Sequence, residues 1–289
     1  MIQSKVNDLK MGERGAILSI IAYVFLSALK LVIADMANSA ALKADGMNNA
    51  TDIVASIAVL IGLKYSQKPA DENHPYGHWK AEMIAAMIAS FIMMVVGLQV
   101  LFEAVTSVFS AKQESPDLIS ALTAVFSAVV MYLVYRYNRN LGRKIDSKAV
   151  KAAAKDNLSD AWVSIGAAIG IVGSQFGLPW LDPVTAVIVG VLICKTAWGI
   201  FKDASLDLTD GYDEDKLELY KGSILKISGV KGIKDIKARR YGSNSVVDVV
   251  ILVNSTLGIQ AAHKISDNVE EVLMKEHQVF DVHVHVEPN

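Results

Sequence analysis

Hydrophobic and polar positions along this chain fall into long blocks. Between Arg14 and Asp35 the only charge is Lys30, and between Asp45 and Lys64 it is Asp52. Glu82 to Glu103, Asp117 to Arg136 and Asp160 to Asp182 enclose stretches with no charge, and Pro183 to Phe201 is broken only by Lys195. A helix crossing the hydrocarbon of a bilayer needs about 20 mostly apolar residues in succession. The pattern predicts six such helices, at 12–34, 39–64, 82–108, 116–138, 147–176 and 180–201. Burying six runs of this length in a water-soluble protein would need a polar shell that this chain lacks. The first run is too long for a signal peptide and has no small-residue cleavage site behind a short core.

After Phe201 the periods shorten. Asp213 to Ile227 is amphipathic through Leu217, Tyr220, Ile224 and Leu225, and Gln260 to His277 predicts a second helix. Val230–Arg240, Ser245–Val253 and Val279–Val286 predict strands, the second alternating around Val247, Asp248, Val249 and Val250. The order helix, strand, strand, helix, strand suits a small α+β sandwich, ferredoxin-like without its first strand. The expected organisation is a six-helix transmembrane domain over 1–205 and a ferredoxin-like domain over 206–289.

Composition narrows the function. Of 289 residues 52% are hydrophobic and only 20% charged, against about 25% charged in soluble proteins. The 28 Lys and Arg against 30 Asp and Glu leave a net charge of −2, which excludes disorder and nucleic-acid binding by bulk charge. A single cysteine, Cys194, excludes a disulfide framework and a cysteine-rich zinc site. Lys and Arg cluster in alternate connections: Lys5, Lys10 and Arg14; Lys64, Lys68 and Lys80; Arg136, Arg139, Arg143, Lys144, Lys148, Lys151 and Lys155. The opposite connections carry only Lys43 and Lys112. Both termini, and the soluble domain, are therefore expected in the cytoplasm.

Ionisable residues within spans are costly and are candidates for function. Asp52 lies near the middle of the second span, with Asn48 four residues before it; Asp156 and Asp160 form a second four-residue pair in the fifth. Such pairs share a helix face. Two of these faces meeting at mid-depth gather four oxygen-bearing side chains, and three carboxylates crowded in low dielectric call for a cation or protons between them. Polar helix–helix contact is the plainer alternative. Asp45, one turn before Asn48, suits either a supporting role or a solvated boundary carboxylate. Lys30 is expected to snorkel to the outer interface, or else to offset Asp35 or Asp45. An all-oxygen set without imidazole or thiolate favours Mn2+, ahead of Fe2+, Cd2+ or Zn2+. In the second-to-third connection, Asp71, His74 and His78 are three potential ligands within eight residues. Pro75 and Gly77 permit the turn that would gather them, and a hydrogen-bonded docking turn explains them equally well. No nucleophile–base pair accompanies the carboxylates, which speaks against a hydrolytic enzyme.

The stretches Ser39 to Asp52, Asp71 to Glu82, Asp156 to Asp160, Leu181-Asp182-Pro183 and Val284 to Pro288 together resemble the cation diffusion facilitator family over nearly the whole chain. The resemblance implies a homodimer in a cell membrane, bacterial by the natural guess, with a cytoplasmic ferredoxin-like domain. Such a protein exports divalent metal in exchange for protons and needs no cofactor besides its metal substrate. The transport site would be Asn48, Asp52, Asp156 and Asp160. Their Asn/Asp and Asp/Asp pairs are similar to the branch associated with manganese, whereas zinc-transporting members place His in at least one pair. His263, His285 and Glu287 match positions where some members bind regulatory metal. Lys234 and Val250 replace further histidines there, and Asp248 and His283 are the possible substitutes. Lys80 and Asp210 match an ion pair between the third helix and the soluble domain. The alternatives are export of Zn2+, Fe2+ or Cd2+ and, in a different class, a metal-responsive sensor or scaffold that does not transport.

Overall fold

The structure, a computed structural model, describes residues 2–109, 115–144, 148–241 and 244–289, without the side chains of 2–13, 63, 148, 149 and 152. Lys112 lies outside the described residues, as do the side chains of Lys5, Lys10 and Lys148. Six long helices come first: α1 (Ile2–Ala37), α2 (Ala40–Ser66), α3 (Ala81–Val108), α4 (Leu118–Lys144), α5 (Lys148–Gln175) and α6 (Leu181–Leu208). A smaller set follows: α7 (Glu214–Ile224), β1 (Gly232–Tyr241), β2 (Asn244–Val253), α8 (Ile259–His277) and β3 (Asp281–Pro288).

Among the described residues five helices are long and apolar enough to cross a membrane: α1 from Arg14, α2, α3, α4 and α6. The sixth expected span, α5, has the length but not the hydropathy, because Lys151, Lys155, Asp156 and Asp160 crowd its first half. Two further expectations need correction. α1 is longer than the apolar run that announced it, and α6 continues to Leu208, so residue 205 falls inside a helix. The chain clusters into two compact units, one comprising residues through Ala58 with Ile88–Gly199, the other Val59–Met87 with Ile200–Asn289.

In the first unit small residues face inward and large apolar ones outward. Ala34, Ala41, Ala121, Ala124, Ala167 and Ala168 pack together with Leu42 and Ile171. Phe102 is 71% exposed, Leu122 70% and Ile169 67%. Helices that approach through small side chains and present bulk outward are those of a protein whose surroundings are lipid. The first amides of α2, which no carbonyl of its own helix can satisfy, are held by Asp182 of α6, at 2.7 Å from the Ala40 N–H. Ser39 Oγ donates to the same carboxylate at 2.7 Å.

In the second unit, residues 212–289 fold as expected from their periodicities. Asp213 caps α7, accepting from the Asp215 N–H at 3.0 Å. Val247, Val249, Ile251 and Val253 of β2 and Val282 of β3 pack against Ile265, Val269 and Leu273 of α8 and Ile224 of α7. The sheet order is β1-β2-β3, with β1–β2 antiparallel and β2–β3 parallel across α8. The parallel pair follows from the missing first strand. In the complete fold that strand would separate these two; without it they close up as one strand–helix–strand unit.

Candidate metal centre

Asn48 and Asp52 lie one turn apart on α2, and Asp160 meets them from α5. The Asn48 amide nitrogen stands 3.1 Å from Asp160 Oδ1 and 3.5 Å from Asp52 Oδ2. It occupies the point between two carboxylates where a cation would sit; turning the amide over presents its oxygen instead. Asp156, exposed one turn along α5, lies within electrostatic reach of both Asp52 and Asp160. Of the four residues paired by spacing, Asn48, Asp52 and Asp160 are thus in hydrogen-bonded contact, while the ligand oxygens of Asp52, Asp156 and Asp160 do not all come within 4.8 Å of one another.

The remaining oxygen of Asp160 is fixed by residues that the sequence did not single out. Tyr23 of α1 donates to Asp160 Oδ2 at 2.8 Å, and Asn157 Nδ2 donates to the Tyr23 oxygen at 2.9 Å. Asn138 of α4 donates to Asn157 Oδ1 at 2.9 Å and to Ser19 at 2.9 Å. The donors run in one direction, from α4 through α5 and α1 to the carboxylate, so the phenolic proton has one acceptor to point at. The tyrosine sits inside an apolar run and its partners lie more than a hundred residues away, so no local signal marks it.

Lys30 does not snorkel. It is fully buried, 2.9 Å from the equally buried Asp45, and donates to Asn49 Oδ1 at 2.6 Å and to Ser164 Oγ at 3.0 Å. The offsetting role toward Asp45 is the one realised, and Asp45 is not a boundary group.

The loop before α3 does gather its three candidates. The ligand atoms of Asp71, His74 and His78 lie within 4.8 Å of one another, the one such His, Cys, Asp or Glu group found among the described residues. His74 Nδ1 is 2.9 Å from Asp71 Oδ1 and His78 Nε2 is 3.4 Å from Oδ2. The His74 side chain, and the backbone N–H groups of His74 and Asn73, hold the exposed Asp71 carboxyl below its ordinary pKa range. His78 Nδ1 is buried with no hydrogen-bond partner among the described residues, leaving a ligand nitrogen unspent.

Within one copy the soluble-domain candidates fall on two elements, the sheet and α8. Asp248, His283, His285 and Glu287 alternate with core residues on β2 and β3 and share the sheet face away from the core. His263 instead lies on α8, 3.7 Å from Asp267. Glu287 is paired with Lys234 at 2.6 Å and Asp248 with Arg239 at 3.1 Å. Lys80 and Asp210 form the expected pair, at 2.9 Å.

Apolar helices with inward-facing small residues that carry a cluster of carboxylates, followed along the chain by an α+β domain, define a membrane transporter for cations. The cation efflux transmembrane domain family matches residues 16–209, and the cytoplasmic domain family of cation efflux proteins matches 212–289. The chain belongs to the cation efflux family and is a multi-pass cell-membrane protein. It is 58% identical to the manganese efflux system protein MneS of Bacillus subtilis over 98% of each chain. It is 53% identical to the uncharacterized transporter YdbO of the same organism over 99% of this chain and 98% of that one. Against the manganese efflux system protein MneP, also of Bacillus subtilis, the identity is 33% over 96% and 97%.

Proposed function

We propose that this protein exports Mn2+ from the cytoplasm in exchange for protons, by alternating access around Asn48, Asp52, Asp156 and Asp160. The meeting of Asn48, Asp52 and Asp160 at one point between α2 and α5 carries the reading. An amide and three carboxylates offer only oxygen, which suits a hard dication over Zn2+. Two manganese efflux proteins among the matched relatives support the same metal.

Open to the cytoplasm, the ionised carboxylates and the Asn48 carbonyl take up Mn2+. Rearrangement exposes the site outside, where protons take the cation's place on the carboxylates, and the protonated site returns. Both termini lie in the cytoplasm, a reading that the Lys and Arg distribution supports. The working form is a homodimer. Asp71, His74 and His78 hold a second divalent ion on the loop. Asp248, His263, His283, His285 and Glu287 take up regulatory metal only where two copies bring them together.

Uptake of a panel of divalent ions into inside-out vesicles under an imposed pH gradient is the test. Mn2+ uptake driven by the gradient is expected, and its loss in Asp52→Ala and Asp160→Ala with the dimer retained. Near wild-type uptake by either variant rejects the site. Uptake indifferent to the gradient rejects proton exchange, and preference for Zn2+ rejects the metal.

A further inference from the structure

Lys30 sits in a cage of its own. Its ammonium touches Asp45 and Asn49, four residues apart on α2, and Ser164 on α5, so its three protons meet three oxygen-bearing side chains from two other helices. Asp45 and Ser164 lie one turn beyond Asn48 and Asp160 respectively, on the side away from the α4–α5 connection. The cage therefore repeats the transport site one helical turn further along the same two helices, with one carboxylate in place of three. Lys30 and Asp45 have no exposed surface. Asp45 Oδ2 stands 2.9 Å from the ammonium, and no other group among the described residues donates a hydrogen bond to this carboxylate, so Lys30 is its one partner there.

We propose that Asp45, Asn49 and Ser164 form a monovalent-cation site, filled by the tethered ammonium of Lys30, and that this fixed charge is a positioning residue for the adjoining transport site. One carboxylate with two neutral oxygens matches a single positive charge. The occupant is attached to α1 while the cage belongs to α2 and α5, so it fixes the three helices together and cannot be exported with the substrate. It also lies within electrostatic reach of Asp52 and Asp160. Like charges at such range repel over several ångströms of low dielectric, so the ammonium weakens Mn2+ binding enough for the ion to leave. The inference rests on the transport-site reading above.

The test is Mn2+ binding by the full chain in lipid nanodiscs, reading the component that Asp52→Asn removes. In buffer whose only monovalent cation is N-methylglucamine, too large for the cage, Lys30→Ala should bind Mn2+ at least tenfold more tightly than wild type. Sodium or methylammonium should fill the vacated cage and restore the wild-type affinity saturably; tetramethylammonium should not. Lys30→Ala with Asp45→Asn leaves a neutral cage and should show wild-type affinity with no response to small cations. An unchanged affinity in Lys30→Ala, or a shift that no small cation reverses, overturns the proposal. If Lys30→Ala is recovered folded only with sodium or methylammonium present, the cage is supported; if it fails to fold without a small cation and neither sodium nor methylammonium rescues it, the cage is rejected. Failure of the transport-site reading looks different: Asp52→Asn then removes no Mn2+ binding from the wild-type protein.

Discussion

At the scale of single residues, one amide links the two helices of the proposed transport site. Asn48 donates toward both Asp52 and Asp160, and so does by hydrogen bonding what the substrate would do by charge. The position is therefore both a ligand and a spacer, which makes it the place to alter selectivity. Asn48→His introduces an imidazole where only oxygen stood, and imidazole favours Zn2+ over Mn2+. The Zn2+ to Mn2+ transport ratio in the vesicle panel is expected to rise about tenfold or more, the scale of one ligand exchange at roughly 1.4 kcal/mol. A ratio unchanged from wild type places the selectivity filter elsewhere. Tyr23→Phe is the gentler counterpart. It removes the proton donated to Asp160 and keeps the ring, and a loss of about 0.5–1.5 kcal/mol, the ordinary net worth of one hydrogen bond, is expected in Mn2+ affinity by titration of the purified protein. An unaffected affinity shows that Asp160 does not depend on the donor chain.

At the scale of elements, the long apolar runs and the short alternating ones were both legible, because hydrocarbon thickness and the two-residue pleat leave periods that no tertiary context erases. Ends were less so. α6 runs past the apolar stretch that ends at Phe201 to Leu208 and into a turn where Asp210 has φ +59°, and nothing in hydropathy marks the end of a helix that leaves the membrane still helical. The four-residue pairs on α2 and α5 were legible for the same reason as the runs: spacing on one helix is a local property. Lys30 was misread because its partners lie on two other helices, and a lone lysine near a span end has an ordinary explanation in snorkelling. Tyr23, Asn157 and Asn138 escaped altogether, since each is unremarked alone and they acquire meaning only where three helices meet. The soluble sandwich offers a direct check on its element assignments. Leu273 of α8 is fully buried against β2 and β3, so Leu273→Ala should lower the stability of the fragment from residue 206 by about 2–5 kcal/mol, read as a drop in its thermal midpoint. A change within experimental error would mean that α8 does not dock as described.

At the scale of the whole molecule, two ion pairs among the described residues tie the ends of the long helices to the soluble fold: Arg240 with Asp207 at 3.6 Å, and Lys80 with Asp210. Lys80 at the start of α3 meets Asp210 just after α6, and the Lys80 ammonium also lies 5.3 Å from the Tyr241 ring centre. Beside it Trp79 packs edge-on against Phe280, 4.7 Å between ring centres. A half-exposed pair contributes little stability, about 0–1 kcal/mol, so its value lies in fixing an angle and not in holding the parts together. Lys80→Glu is expected to cut transport several-fold with the thermal midpoint nearly unchanged, and Asp210→Lys in the same chain to restore part of it. A double-mutant cycle with no coupling between the two positions removes that role for the pair.

The polar first half of α5 bears on how the protein is made. Each Asp or Lys placed at the centre of a nascent span costs about 2.5–3.5 kcal/mol on insertion, and α5 brings Lys151, Lys155, Asp156 and Asp160 within ten residues. Alone at the translocon it would stay in water. It does not arrive alone: α4 leaves the ribosome just before it, with Asn138 ready to bond Asn157, while α1 already holds Tyr23 for Asp160. The side chains gathered behind Asp160 therefore make the fifth helix an obligate passenger of its predecessors during synthesis. The hydrogen bonds that position Asp160 in the finished protein are the ones that let it enter the membrane.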